Sequence, residues 1–160
     1  MEEKRKKSYT KDQVLKKASE YCAYQERCQQ EVRDKIYSWG LHCEDTEAMI
    51  AHLISNGFIN EERFAKAFAG GKFRIKKWGK GKIKNELKIR KISEYCIRRA
   101  MEEINEKEYL KTLKEIIDKK SKEFKERNIY KKTNKIVSYC ISRGFESEKV
   151  WDIIKNKFED

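Results

Sequence analysis

The sequence predicts an all-α protein of three tandem three-helix repeats, forming an elongated, curved molecule. Three observations carry that prediction. The 160 residues include no proline and only seven glycines, and they are rich in Lys, Glu, Ile and Leu; straight-chain side chains lose little rotamer freedom in a helix. Apolar residues make up 38% and charged residues 41%, a modest core that suits a thin helical row better than one thick globule. Finally, a layout of apolar anchors, glycines and caps recurs about every 50 residues, as in stacked units that bury their faces partly against their neighbours.

Residues 1–9 are charged and polar without an apolar period, and are expected to form a flexible basic arm. The first repeat spans 10–57. Thr10-Lys-Asp-Gln13 has the form of a capping box, in which the hydroxyl and the amide each satisfy an orphan backbone donor. It opens a helix to about Arg27 carrying Val14, Leu15, Ala18, Tyr21, Cys22 and Gln25 at helical spacing. A shorter helix over about Gln30–Ser38 turns Val32, Ile36 and Trp39 inward and closes on Gly40, a residue that accepts the left-handed conformation after a helix. Asp45 and Thr46 are N-cap candidates for the next helix, which presents Ala48, Met49, Ile50, Leu53 and Ile54 and stops at Asn56-Gly57.

The second repeat spans 58–107. Its long helix, Glu61–Lys77, places Phe64, Phe68 and Ile75 at helical spacing, and the pair Lys80–Arg90 and Glu94–Ile104 follows. In the third repeat, 108–160, the long helix Glu108–Arg127 carries Tyr109, Leu113, Ile116, Ile117 and Phe124. Aligning Val32 with Ile83 and Ile136, at offsets of 51 and 53, also brings Leu41 onto Ile92 and Phe145, and Met49 onto Ala100 and Ile153. Ser93 and Ser147 stand near the place of Thr46 as caps.

The formal charge is +12, with a pI near 9.4, and it is clustered. From Lys72 to Lys91 ten residues are basic (Lys72, Arg74, Lys76, Lys77, Lys80, Lys82, Lys84, Lys88, Arg90 and Lys91) against the single acid Glu86. Such a cluster points to a polyanionic partner, since it gains free energy by releasing condensed counterions. Lys72, Arg74, Lys76, Lys77, Lys80, Lys82 and Lys84 are therefore the candidate contacts to nucleic acid or an acidic protein. Trp78, set among lysines, either stacks on an unpaired base or closes the corner between two helices with Gly79 as the turn; the corner reading is preferred. Gly70-Gly71 inside the long helix signals close packing of a neighbouring helix in preference to a flex point.

Several functions are disfavoured. No nucleotide-binding loop or HExxH motif is present, and neither His42 nor His52 sits in a nucleophile–base motif, so an enzyme and a cofactor are not expected. Cys22, Cys28, Cys43, Cys96 and Cys140 lack a CxxC knuckle and read as reduced, mostly buried thiols, not as metal ligands. Neither a signal peptide nor an 18-residue apolar run is present, which predicts a cytoplasmic protein with no membrane role. The helix pair at 80–104 has the size of a helix-turn-helix, but SEYCIRRAMEEI offers few side chains suited to base edges.

The stretch Gly57-Phe58-Ile59-Asn60-Glu61-Glu62-Arg63-Phe64-Ala65, with Phe68, Lys72, Arg74, Trp78-Gly79, Lys82-Ile83, Glu86-Leu87 and Lys91-Ile92, resembles the RecX family of RecA regulators. Tyr24, Arg27, Cys28, Glu31, Val32 and Lys35 resemble its first-repeat signature, and the third repeat is the most divergent. One departure stands at the stop after Lys80–Arg90, where Lys91 replaces the family's usual glycine. The resemblance makes Gly57, Phe58, Arg63, Phe64, Phe68, Trp78, Gly79, Ile83 and Leu87 the motif anchors. It implies a monomeric, non-enzymatic protein that binds the RecA filament on single-stranded DNA, with weak, nonspecific contact to phosphate. Recombinase, ATPase and co-protease activities would be restrained, affecting DNA repair and the SOS response. A stand-alone basic nucleic-acid-binding module is the alternative.

Overall fold

The structure is a computed structural model and describes residues 8–158; most of the expected basic arm, residues 1–7, lies outside them. Among the described residues the protein is all-helical, with no strand. The helices are α1 (Lys11–Tyr24), α2 (Gln29–Ser38), α3 (Cys43–Ser55), α4 (Glu61–Arg74), α5 (Lys80–Ile89), α6 (Glu94–Met101), α7 (Glu106–Glu123), α8 (Ile129–Ser142) and α9 (Ser147–Phe158). No helix among them is long and apolar enough to cross a membrane.

The aligned anchors occupy equivalent places. Val32, Ile83 and Ile136 are each 0% exposed, and Leu41, Ile92 and Phe145 are all buried. Met49 and Ala100 are buried as well, whereas Ile153 is only partly so and its neighbours Val150 and Ile154 turn inward. The middle helix of each triplet ends in a left-handed residue, at Gly40 (φ 95°), Lys91 (φ 59°) and Gly144 (φ 96°). In the second and third the following N–H reaches back into the helix, from Ile92 to Leu87 O and from Phe145 to Cys140 O, both at 3.1 Å. This satisfies carbonyls the helix leaves open. Lys91 thus makes the turn without glycine, in a conformation that crowds its Cβ.

Packing divides the chain into a unit ending at Phe64 and a unit beginning at Ala65. The first unit is centred on Val14, Ala18, Cys22, Val32, Ile36, Met49, Ile50 and Leu53. The capping box forms as expected, with Thr10 N–H donating to Gln13 Oε1 at 2.9 Å and Gln13 N–H to Thr10 Oγ1 at 3.2 Å. Two boundaries differ from the sequence reading. α1 stops at Tyr24, because Gln25 is extended and Arg27 folds back to donate to Tyr21 O and cover the Tyr21 ring. α3 starts at Cys43, with His42 as its N-cap, so Thr46 is no cap but a fully buried side chain inside the helix.

In the second unit α4 ends at Arg74 and not at Lys77. Lys77 is left-handed (φ 57°), and Trp78 N–H bonds back to Lys72 O at 3.2 Å. Ile75 therefore lies beyond the apolar stripe and is 79% exposed, while Ala65, Ala69 and Phe73 carry the stripe inward. α4 runs unbroken through Gly70 and Gly71. The atoms nearest a Cβ on Gly70 belong to Arg74 of the same helix, and a Cβ on Gly71 would meet open space, which replaces the expected packing of a neighbouring helix. α7 starts at Glu106 because Asn105 caps it, accepting from Glu108 N–H at 3.1 Å.

Phe73, Tyr109 and Phe145 form an aromatic column, with centroid separations of 5.7 and 5.2 Å. The buried Tyr109 hydroxyl accepts from Lys80 N–H at 3.0 Å and donates to Glu146 at 2.9 Å. Burial, foremost, pushes its pKa well above the usual tyrosine value, so it works as a neutral hydrogen-bonding hub. Beside it, Gly79 N–H donates to Arg143 O at 2.7 Å and Gly81 N–H to Gly144 O at 2.9 Å. A Cβ on Gly79 would stand 2.2 Å from Gly144 C, so glycine is what lets these two main chains meet.

Candidate functional site: a basic and aromatic face

The turn between α4 and α5 builds the most concentrated basic and aromatic surface in the second unit. Left-handed Lys77 reverses the chain, which lays Trp78 edge-on against Phe68 of α4, with centroids 6.4 Å apart. Three cations surround this pair. Lys72 Nζ lies 4.9 Å from the Trp78 centroid and 5.4 Å from that of Phe68. Lys82 Nζ sits 4.5 Å over Trp78, and the Arg90 guanidinium lies 4.8 Å over Phe68. Trp78 and Phe68 are half-buried, so the rings both pack and remain accessible. Arg90 is also paired with Glu86 at 2.8 Å, whereas contact with a ring face alone orients a lysine without neutralising it; such a surface can take a phosphate beside a stacked base.

The other candidate lysines diverge from that face. Lys80 pairs with Glu106 at 3.1 Å and lies over the Tyr109 ring, while Lys149 reaches the same carboxylate at 2.7 Å. The hydrogen bonds from Lys149, chiefly, and Lys80 hold the Glu106 carboxyl below its usual pKa. Lys80 is thus engaged in the joint to α7. Arg74 and Lys76 are exposed at the end of α4, and the Lys76 carbonyl accepts from Arg143. Lys77 lines a cavity with residues of α7 and α8. Lys84 lines a different one with Lys88 and Arg98.

The motif anchors sort into core and connection. Phe64, Ile83 and Leu87 are buried, Gly79 is buried in the joint, and Phe58 is 36% exposed. Gly57 is left-handed (φ 75°) at the end of α3. Arg63 pairs with Glu26 and donates to Gly57 O at 2.9 Å, which ties the start of α4 to that turn. Cys22, Cys28, Cys96 and Cys140 are buried and Cys43 exposed. Burial raises the Cys140 thiol to about 11, leaving it little thiolate character. Among the described residues no three His, Cys, Asp or Glu side chains gather into a metal site.

The sequence reading did not single out Tyr9, Tyr21 or Trp39 as a ring cluster, nor the cations above them. Tyr21 and Trp39 stand edge-to-face at 6.4 Å. Arg27 lies 3.8 Å over Tyr21, and Lys17 lies 4.6 Å over Tyr9. The first unit therefore carries its own cation–aromatic surface.

A family profile described as the RecX second three-helix domain matches residues 60–101, which contain the whole Phe68–Arg90 face. The regulatory protein RecX of Lactobacillus johnsonii is 27% identical over 108 residues, 68% of this chain and 40% of that protein. The chain is thus similar to RecX proteins in its second three-helix domain and in its fold. The match spans two fifths of that RecX relative's length. RecX structures share the fold: the crystal structure of RecX from Lactobacillus salivarius superposes with a TM-score of 0.80 at 23% identity, covering 91% of this chain and 95% of that one. A second crystal structure, of a regulatory protein RecX, gives 0.80 at 19% identity, covering 91% and 73%.

Proposed function

We propose that this chain is a RecX family protein, a non-enzymatic, cytoplasmic, monomeric regulator that binds the RecA filament on single-stranded DNA and restrains its recombinase, ATPase and co-protease activities. The observation that carries the reading is that the Phe68–Trp78 pair and its cations lie inside the segment matching the RecX domain profile. Acidic protein surface and DNA phosphate both complement Lys72, Lys82 and Arg90, and the half-buried rings provide area for a partner side chain or an unpaired base. Arg74, Lys76 and Lys84 extend the charge at exposed positions.

The test is RecA ATP hydrolysis on single-stranded DNA with micromolar protein. The expected result is a reduced rate, and the double variant Lys72→Glu/Lys82→Glu should weaken the effect by about tenfold in required concentration, as two partly exposed charge contacts at a protein–nucleic acid interface would. An unchanged rate with folded wild-type protein refutes the reading. The cation–aromatic clusters equally favour a second one, a nucleic-acid-binding module that acts without RecA. Tight binding to bare single strands, falling steeply with salt, favours that module; weak binding to bare DNA with strong binding to the filament favours the first.

A further inference from the structure

Between α7 and α8 lies a cavity of about 310 Å³ with a strongly cationic lining. Four cations line it, Lys77, Lys119, Lys120 and Arg143, against the single carboxylate of Glu115. Three of the four come from elements the basic stretch does not include. The half-buried Thr112 hydroxyl and the Tyr139 ring complete the wall, with Ile116 as an apolar patch.

We propose that this groove binds a nucleoside phosphate. Its volume lies at the small end of ligand sites, so it suits one nucleotide and excludes a helix or a folded partner. The excess of cations excludes metal ions and neutral apolar ligands, and Arg143 and Lys119 can share phosphate oxygens by charge-assisted hydrogen bonds. The site is held in place from below. The Arg143 guanidinium donates to Lys76 O, and the Arg143 carbonyl takes the Gly79 N–H at 2.7 Å. Lys120 Nζ rests 4.3 Å over the Tyr139 ring and 2.8 Å from Glu123, a carboxylate that the exposed Lys119 approaches only at 3.9 Å, so Lys119 is the freer of the two to turn to a ligand. When a phosphate arrives, the flexible Lys120 stem swings its ammonium to it and frees the ring face for the base. Thr112 then meets the sugar or a phosphate oxygen.

The nucleotide could be free or part of a DNA strand, and calorimetry on the full chain separates the two. The probes are inorganic phosphate, deoxyadenosine, dAMP, dATP and a short oligothymidylate. Saturable binding of dAMP and dATP is expected, weaker for inorganic phosphate and absent for deoxyadenosine. Binding of the oligonucleotide alone upholds the site, and assigns its phosphate to a strand, only where Lys119→Gln/Lys120→Gln weakens it and Lys72→Glu/Lys82→Glu does not; the reverse pattern overturns the proposal. Lys119→Gln/Lys120→Gln should lower affinity about tenfold, as loss of two charged contacts does, while Lys107→Gln/Lys111→Gln on the same helix should leave it unchanged. Tyr139→Leu should weaken dAMP without changing inorganic phosphate. Far-UV circular dichroism establishes that each variant is folded. Absence of saturable binding to both dATP and the strand overturns the proposal, as does an equal loss in the two lysine double variants, which would mean bulk charge alone. None of these readouts involves RecA, so the site stands or falls apart from the regulatory reading.

Discussion

Thr46 offers the sharpest test of the repeat register. Its side chain is 0% exposed, and Oγ1 has no hydrogen-bond partner. The register that aligns Val32 with Ile83 and Ile136 places Ile97 and Val150 at its position, and both are buried apolar side chains. The slot is therefore apolar in design, and the hydroxyl there is desolvated without compensation. Thr46→Val keeps the β-branched shape and its χ1 preference in the helix. It removes a penalty of about 1–3 kcal/mol for a buried unpaired hydroxyl, and the added methyl contributes further burial. Against this stands some crowding, which the larger Ile97 at the equivalent place suggests is small. A net gain of about 1–2 kcal/mol is expected, or about 2–8 °C in melting temperature for a chain of this size. Thermal unfolding followed by circular dichroism reads it, and amide exchange along α3 locates it. Thr46→Ser, which keeps the hydroxyl and loses the methyl, should destabilise. If Thr46→Val proves neutral or destabilising, the hydroxyl is satisfied in solution and the apolar reading of this slot fails.

Two further substitutions test the turns and the joint. Lys91→Gly removes the left-handed strain at φ 59° and should stabilise by about 0.5–1 kcal/mol after the flexibility glycine adds to the unfolded chain; urea unfolding measures it, and a loss of stability would show that the lysine side chain contributes more than the strain costs. Gly79→Ala places a methyl 2.2 Å from Gly144 C and should cost about 3 kcal/mol or more, since two main chains must separate; a variant that melts like wild type would refute the close approach.

Much of this fold is legible because helical period and caps are local. The Thr10–Gln13 box forms both of its bonds, and the triple alignment finds three fully buried anchors at Val32, Ile83 and Ile136. Errors arise where a distant or backbone-level event decides. Ile75 continues the apolar spacing on paper, yet Lys77 ends the helix and leaves it in solvent, with Phe73 buried instead. Thr46 has the identity of a cap, but α3 has begun three residues earlier. Lys91 shows the reverse case, a turn that holds although its glycine is missing. The site was less legible than the fold. A run of lysines gives no sign of which ring, carboxylate or groove each will meet. Arg143 could have been found, since the repeat offset of 53 pairs it with Arg90, which covers Phe68.

The basic stretch is therefore not one uniform charge patch, and this changes how its variants should be read. Within five residues, Lys77 faces the α7–α8 groove, Trp78 lies under Lys72 and Lys82, and Gly79 and Gly81 bond to Arg143 and Gly144. Lys80 holds Glu106 and lies over Tyr109. Reversing Lys80 would place a carboxylate beside Glu106, where like charges repel, and would loosen the joint between α5 and α7. Lost partner binding in such a variant would report on the scaffold as much as on the contact. The ammonium groups of Lys72 and Lys82 each lie over a ring at the half-buried face, and Lys82→Glu removes the charge while keeping the backbone and Cβ that pack beside Gly144. A loss confined to the Lys72/Lys82 variant, with thermal stability preserved, is the outcome that separates a recognition surface from a structural one.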